Sequence, residues 1–215
     1  MEGVRKFLLQ EQQKFFQRDG IATITVSDST EGVTLVENML QKIVDKRTVI
    51  YLSGGKTPKM LYSRLSESGL QAGAVGMIDE RYGKKFHDKS NELMMKETGL
   101  LRTMELQGVQ FYPILQFDTS REETADDYDQ KVRELLAQYT KNVGILGIGT
   151  DGHTSSIIPN RPDFHNPLFD AEHKNLFVSQ FNDEKSAYHE RIGMTFLGLS
   201  MLDVIIILIF GIGIL

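Results

Sequence analysis

Asn142–Pro159 reads NVGILGIGTDGHTSSIIP, an apolar run from Asn142 to Ile148 that opens into a glycine-rich turn carrying one histidine, His153. A short β-rich segment ending in glycines is how a strand of a parallel sheet hands over to the loop where α/β proteins keep their ligands. A histidine in such a turn can take and return a proton near neutral pH. This strand-then-turn unit sets the expectation for the rest of the chain.

Working outward from it, helical and strand-like segments alternate. Ile21–Val26 reads as a strand, and Thr30–Lys46 as a helix introduced by the capping residues Ser27, Asp28 and Ser29. Thr48–Leu52 is a β-rich run, followed by the turn Ser53-Gly54-Gly55-Lys56-Thr57 and a helix from Pro58 to about Ser68. Val75–Ile78 reads as a strand ending at Asp79-Glu80-Arg81, then come a polar loop and a short helix over Asn91–Glu97. A strand at Val109–Tyr112 and a long charged helix over Ser120–Tyr139 lead into the opening strand. Leu176–Ser179, Ile192–Phe196 and Val204–Phe210 finish the chain. This rhythm predicts an α/β fold, doubly wound, with a mainly parallel sheet and helices on both faces, in a single domain over residues 1–215.

Bulk composition fits that expectation. The chain has 215 residues, 40% hydrophobic and 25% charged, a length that supports a substantial core. A net charge of −5 argues against general nucleic-acid binding but not against a small anion held by a local field. With no cysteine there is no disulfide or thiolate metal site, which fits a reducing, cytoplasmic setting. The first twenty residues contain no signal-peptide apolar core; Val4, Phe7, Leu8, Phe15 and Phe16 suggest an amphipathic helix. Val204–Leu215 is the most apolar segment, too short for a membrane span and expected to be a buried parallel strand.

Three local patterns carry chemistry. In Ser53-Gly54-Gly55-Lys56-Thr57, glycines and a helix N-terminus leave backbone N–H groups for an anion, with Lys56 and the Ser53 and Thr57 hydroxyls beside them. A nucleotide P-loop would need glycine where Ile50 stands. Asp79 and Arg81 lie at a strand end, where Arg81 could hold a phosphate and Asp79 could accept or orient a proton. Gly147, Gly149 and Gly152 match the dinucleotide pattern G-x-G-x-x-G, but Pro159 would cut short the helix that this pattern requires. The histidines at 87, 153, 165, 173 and 189 show no metal-ligand spacing, and there is no G-x-S-x-G hydrolase elbow.

Taken together, SGGKTP, DERYGKKFHDKSN and LGIGTDGHTSSIIP occur in the order and rough spacing of one superfamily. The chain resembles the 6-phosphogluconolactonase and glucosamine-6-phosphate isomerase/deaminase group from about Ile21 to its end. Between the branches, the deaminase form GHIAFNEP places a glutamate where this chain has Ile158, whereas HTSSIIP looks like the lactonase form HTASLFP. Ser90-Asn91 and Arg191-Ile192 also resemble lactonase patterns.

The resemblance implies hydrolysis of 6-phosphogluconolactone to 6-phosphogluconate in the pentose phosphate pathway, with no cofactor or metal. His153 would be the general base and Asp151 its orienter. Ser53, Gly54, Gly55, Lys56, Thr57, Asp79, Arg81, Asn91, Gly149 and Arg191 would bind the substrate. Backbone N–H groups of the glycine turn could stabilise the oxyanion. The partner would be a small phosphosugar lactone, with no nucleic acid or membrane, for a monomer or homodimer. Two alternatives stay open: a deaminase-isomerase with Asp79 as base, and a non-catalytic sugar-phosphate-binding module. One departure is expected to weaken phosphate binding: residues 211–215 read GIGIL, without the lysine of the usual G-x-x-K. Lys56 could replace that charge.

Overall fold

The structure is a computed structural model describing residues 2–10, 15–149, 152–157, 175–183 and 188–210. Its centre is a five-stranded, all-parallel sheet flanked by helices, in the order β10-β7-β3-β4-β6. The strands are β3 (Thr48–Leu52), β4 (Ala74–Met77), β6 (Gln110–Phe111), β7 (Lys141–Gly147) and β10 (Val204–Leu208). Val49, Ile50, Leu52, Val75, Met77, Val143 and Ile145 are buried in one core that continues into the helices. Burial of such side chains contributes about 1.5–3 kcal/mol each. β3 and β4 are buried at every position because helices cover both faces, which is why they read as unbroken apolar runs.

The winding fixes where a ligand can sit. From β3 the chain proceeds outward through β4 and β6, then returns to place β7 and β10 on the other side of β3. The order therefore reverses between β3 and β7, and a crevice opens beyond the carboxyl ends of those two strands. The loops leaving them are Ser53–Gly55 and the histidine turn.

Several helices have their start set by one side chain. Asp28 accepts from the N–H groups of Thr30 and Glu31 to cap α2 (Ser29–Ile43). Ser120 and Glu123 form a capping box on α6 (Arg121–Gln138). α3 (Lys56–Ser68) starts after Gly55 without a side-chain cap, and α4 spans Asn91–Glu97 as the sequence predicts.

Four features differ from expectation. The N-terminal helix α1 (Glu2–Gln10) buries Phe7, but Phe15 and Phe16 lie in a strand, β1 (Phe15–Arg18). That strand pairs antiparallel with β2 (Ile21–Ile24), forming a hairpin outside the central sheet. A further helix, α5 (Leu100–Leu106), follows Gly99. β10 is parallel but lies at the edge of the sheet: Ile206 and Leu208 are buried, while Ile205, Ile207 and Ile209 are 41%, 47% and 48% exposed.

The fourth difference shapes the site. Asp79–Arg81 is itself a strand, β5, in a second, antiparallel sheet of order β5-β9-β8, with β8 at Val178–Asn182 and β9 at Glu190–Met194. Ile78 is the crossover: its N–H donates to Leu52 O in the first sheet, and its carbonyl accepts from Met194 N in the second. The break leaves Met77 needing partners, and Tyr128 of α6 supplies both, accepting from Met77 N at 2.5 Å and donating to Met77 O at 2.8 Å. A five-residue helix, α7 (Phe196–Ser200), capped by Thr195, joins β9 to β10. Among the described residues no helix is long and apolar enough to cross a membrane.

Candidate active site

The crevice at the β3/β7 reversal is lined by Ser53, Gly54, Gly55, Asp79, Arg81, Asn91, Gly147, His153, Ser155, Ser156 and Arg191. It encloses about 310 Å³, the open solvent at its mouth included. Four stretches more than twenty residues apart in sequence thus meet in one place.

The first wall is the turn after β3. Ser53 N–H donates to Ile145 O, and Tyr62 of α3 donates to Ser53 O at 2.7 Å, so the turn is held from both sides. A Cβ added at Gly54 would stand 1.8 Å from Asn91 Oδ1, so only glycine allows this approach. With no side-chain cap at Gly55, the N-terminus of α3 is suited to an anion.

The second wall is the β5–β9 ladder, where Arg81 and Arg191 are direct cross-strand partners. Like charges in that position repel. Arg81 donates to Asn91 Oδ1 and, at 3.4 Å, to Lys89 O. Arg191 is buried and pairs with Asp183 at 3.5 Å. Burial, then the neighbouring Arg81 charge, push the Arg191 guanidinium below its ordinary value, against the pull of Asp79, Asp183 and Glu80. Two opposed guanidiniums in one cleft favour an anion that can bridge them.

The third wall is the histidine turn. Gly149 N–H donates to His153 O at 2.8 Å, Gly152 N–H to Gly149 O, and Thr154 and Ile157 exchange backbone hydrogen bonds. Ser155 and Ser156 both adopt left-handed conformations, at φ 51° and 63°, which costs about 1–2 kcal/mol per non-glycine residue. His153 is half-buried at the cleft wall. Ser156 Oγ donates to Asp79 Oδ2 at 2.5 Å, and Ser53 Oγ donates to Asp79 Oδ1 at 2.7 Å. Asp79 therefore ties the turn after β3 to the turn after β7.

Of the expected site residues, the structure brings together Ser53, Gly54, Gly55, Asp79, Arg81, Asn91, His153 and Arg191. Lys56 and Thr57 instead form the first turn of α3, with Lys56 exposed, and Gly149 closes the base of the histidine turn. Asp151, Ile158, His165 and His173 lie outside the described residues, as does the 211–215 segment. The N–H groups of Gly149 and Gly152 are both engaged within the turn. No helix begins at Gly152, as a dinucleotide fingerprint would require. Among the described residues no cluster of three or more His, Asp or Glu is placed to hold a metal. Ser155 and Ser156 line the cleft as well, although nothing in the sequence singles them out. Their hydroxyls were legible as residue types, but the left-handed backbone that turns them inward was not.

Fold and site define an α/β protein that gathers two arginines, a glycine turn and a histidine at its switch point. The chain belongs to the family of glucosamine-6-phosphate isomerases and 6-phosphogluconolactonase, whose profile matches residues 29–213. It is 30% identical over 165 residues to a 6-phosphogluconolactonase of Neisseria meningitidis serogroup A, covering 74% of this chain and 68% of that protein. Its fold is similar to 6-phosphogluconolactonase from Plasmodium vivax, with TM-score 0.71 and 19% identity, over 95% of this chain and 80% of that one. A monomeric glucosamine-6-phosphate deaminase also shares the fold, with TM-score 0.54 and 17% identity over 83% of this chain and 76% of that one. The fold alone therefore does not separate the two branches.

Proposed function

We propose that this chain hydrolyses 6-phosphogluconolactone to 6-phosphogluconate, a step of the pentose phosphate pathway, with His153 as general base. The observation carrying the reading is that His153 shares one cleft with the cross-strand arginine pair Arg81 and Arg191. The kinship to lactonases at 30% identity supports the same branch. So does Ile158, standing where the deaminase pattern has glutamate. Asp79, the base that a deaminase reading would need, already accepts serine hydroxyls on both oxygens. The absence of cysteine fits a cytoplasmic setting.

Arg81, Arg191 and the Gly54–Gly55 turn hold the phosphate, and that binding energy presents the lactone carbonyl to water beside His153. The imidazole takes a proton from the water as its oxygen bonds to C1, and the carbonyl π pair moves onto the carbonyl oxygen. Collapse restores the C=O bond and breaks the bond from C1 to the ring oxygen. The imidazolium returns its proton to that oxygen, which leaves as the C5 hydroxyl, and the new carboxylic acid ionises to solvent. Asp151, two residues before the histidine, orients it.

The test is acid release from freshly made 6-phosphogluconolactone, with glucosamine 6-phosphate run in parallel. Turnover above the spontaneous rate on the first substrate, with no ammonia from the second, is expected. Ammonia release would indicate a deaminase, and binding of 6-phosphogluconate with no turnover would indicate a binding module.

A further inference from the structure

Glu80 follows Asp79 in β5, is fully buried, and takes no part in the chemistry above. Its carboxylate accepts four hydrogen bonds. Oε1 receives Arg81 N at 2.8 Å and Asn91 N at 2.7 Å, while Oε2 receives Ser90 Oγ and Glu92 N, both at 2.9 Å. Three of these donors belong to the cap and first turn of α4, so the carboxylate anchors the start of that helix.

Asn91, on that first turn, reaches into the cleft. Its Nδ2 donates to Asp79 O at 2.8 Å, its Oδ1 accepts from Arg81 Nη1, and its side chain fills the space beside Gly54. Both ends of the amide are thus used within the protein, which makes Asn91 a brace rather than a ligand contact. Arginine has many rotamers, and fixing one before binding removes an entropic cost from the binding step.

We propose that Glu80 is a positioning residue that sets the affinity of the cleft for its ligand's phosphate, acting through Asn91 on the Arg81 guanidinium. The inference rests on reading the cleft as a phosphosugar site.

The test is a double-mutant cycle on the full chain, Glu80→Gln against Arg81→Gln, reading the Kd of 6-phosphogluconate by calorimetry and the KM and kcat of lactone hydrolysis. Glu80→Gln turns an amide NH2 toward a cluster of donors. It is expected to raise Kd and KM about 10-fold while changing kcat no more than about 2-fold, the loss typical of a hydrogen bond to a charged group. Once Arg81→Gln is present, Glu80→Gln is expected to add nothing. If Glu80→Gln does not fold, Ser90→Ala removes one donor from the same carboxylate and is put through the same cycle, with a loss of about 3-fold expected. An unchanged Kd, or an equal loss with and without Arg81, would overturn the inference while leaving the phosphosugar reading intact. A wild-type chain that fails to bind 6-phosphogluconate would overturn both.

Discussion

Ser156 donates a 2.5 Å hydrogen bond to Oδ2 of Asp79, a residue 77 positions earlier, and so fastens the histidine turn to β5. Ser53 holds the other carboxylate oxygen at 2.7 Å. The bond also bears on the arginine pair, because Arg191 Nη1 lies 3.5 Å from the same serine hydroxyl. Ser156→Ala leaves one oxygen of a buried carboxylate without its donor, at a cost of about 1–3 kcal/mol. The expected outcome is a lower urea midpoint with an unchanged m-value, together with a lower kcat/KM on the lactone.

How far the sequence reveals this arrangement depends on the kind of feature. Thr48–Leu52 and Asn91–Glu97 match the observed strand and helix end to end, because apolar β-rich composition and a serine cap are local signals. His153, Arg81 and the Gly54–Gly55 turn were legible as residue types next to strand ends. The role of Asp79–Arg81 was not: a charged triplet has no strand signature, and it is a strand only because β9 supplies its ladder. The clamp made by Ser53, Asp79 and Ser156 joins residues far apart in sequence, and no local pattern encodes it. Periodicity likewise identified β10 as a strand but not its place at the edge, since the sheet order decides which face is covered.

Tyr128 provides a second test. Its hydroxyl satisfies both backbone groups of Met77 where the chain leaves one sheet for the other. Burial pushes its phenol well above the ordinary value, so it is neutral at any working pH. Tyr128→Phe leaves a buried N–H and a buried C=O unmet, with an expected loss of about 2–4 kcal/mol. Thermal unfolding is expected to move down by several degrees, on the order of 2–4 °C per kcal/mol for a chain of this size.

The arginine pair predicts that a bound anion stabilises the fold. Arg81 and Arg191 face each other across the ladder, and a ligand that bridges them removes their repulsion. At 100 times its Kd, 6-phosphogluconate is expected to add about 2.7 kcal/mol to unfolding stability. In Arg191→Gln the apo chain is expected to lose stability, because buried Asp183 is left without its cation, and the ligand-induced rise in Tm is expected to shrink. Calorimetric scans with and without ligand read both.

Glu80 gives the pH dependence a sign. Burial raises its carboxyl from 4.5 to about 7, opposed by the hydrogen bonds from Asn91, Glu92, Arg81 and Ser90. The folded chain therefore holds a proton that the unfolded chain has released between those two values. Stability from this group is fully present below about pH 4.5, falls as pH rises toward 7, and is level above it, a total on the order of 3 kcal/mol. Measured as the difference between wild type and Glu80→Gln, unfolding free energy is expected to decline for wild type across that window. A flat difference would place the Glu80 carboxyl at its unfolded value.

The most direct measurement of the central claim is the rate of 6-phosphogluconolactone hydrolysis by His153→Ala, with the Kd for 6-phosphogluconate measured on the same preparation. With His153 as the general base, the enzymatic rate falls by about 10²–10⁴ while Kd stays within a few-fold of wild type. A variant that hydrolyses the lactone at the wild-type rate would show that the proton is taken elsewhere, and the mechanism proposed for this cleft would be wrong.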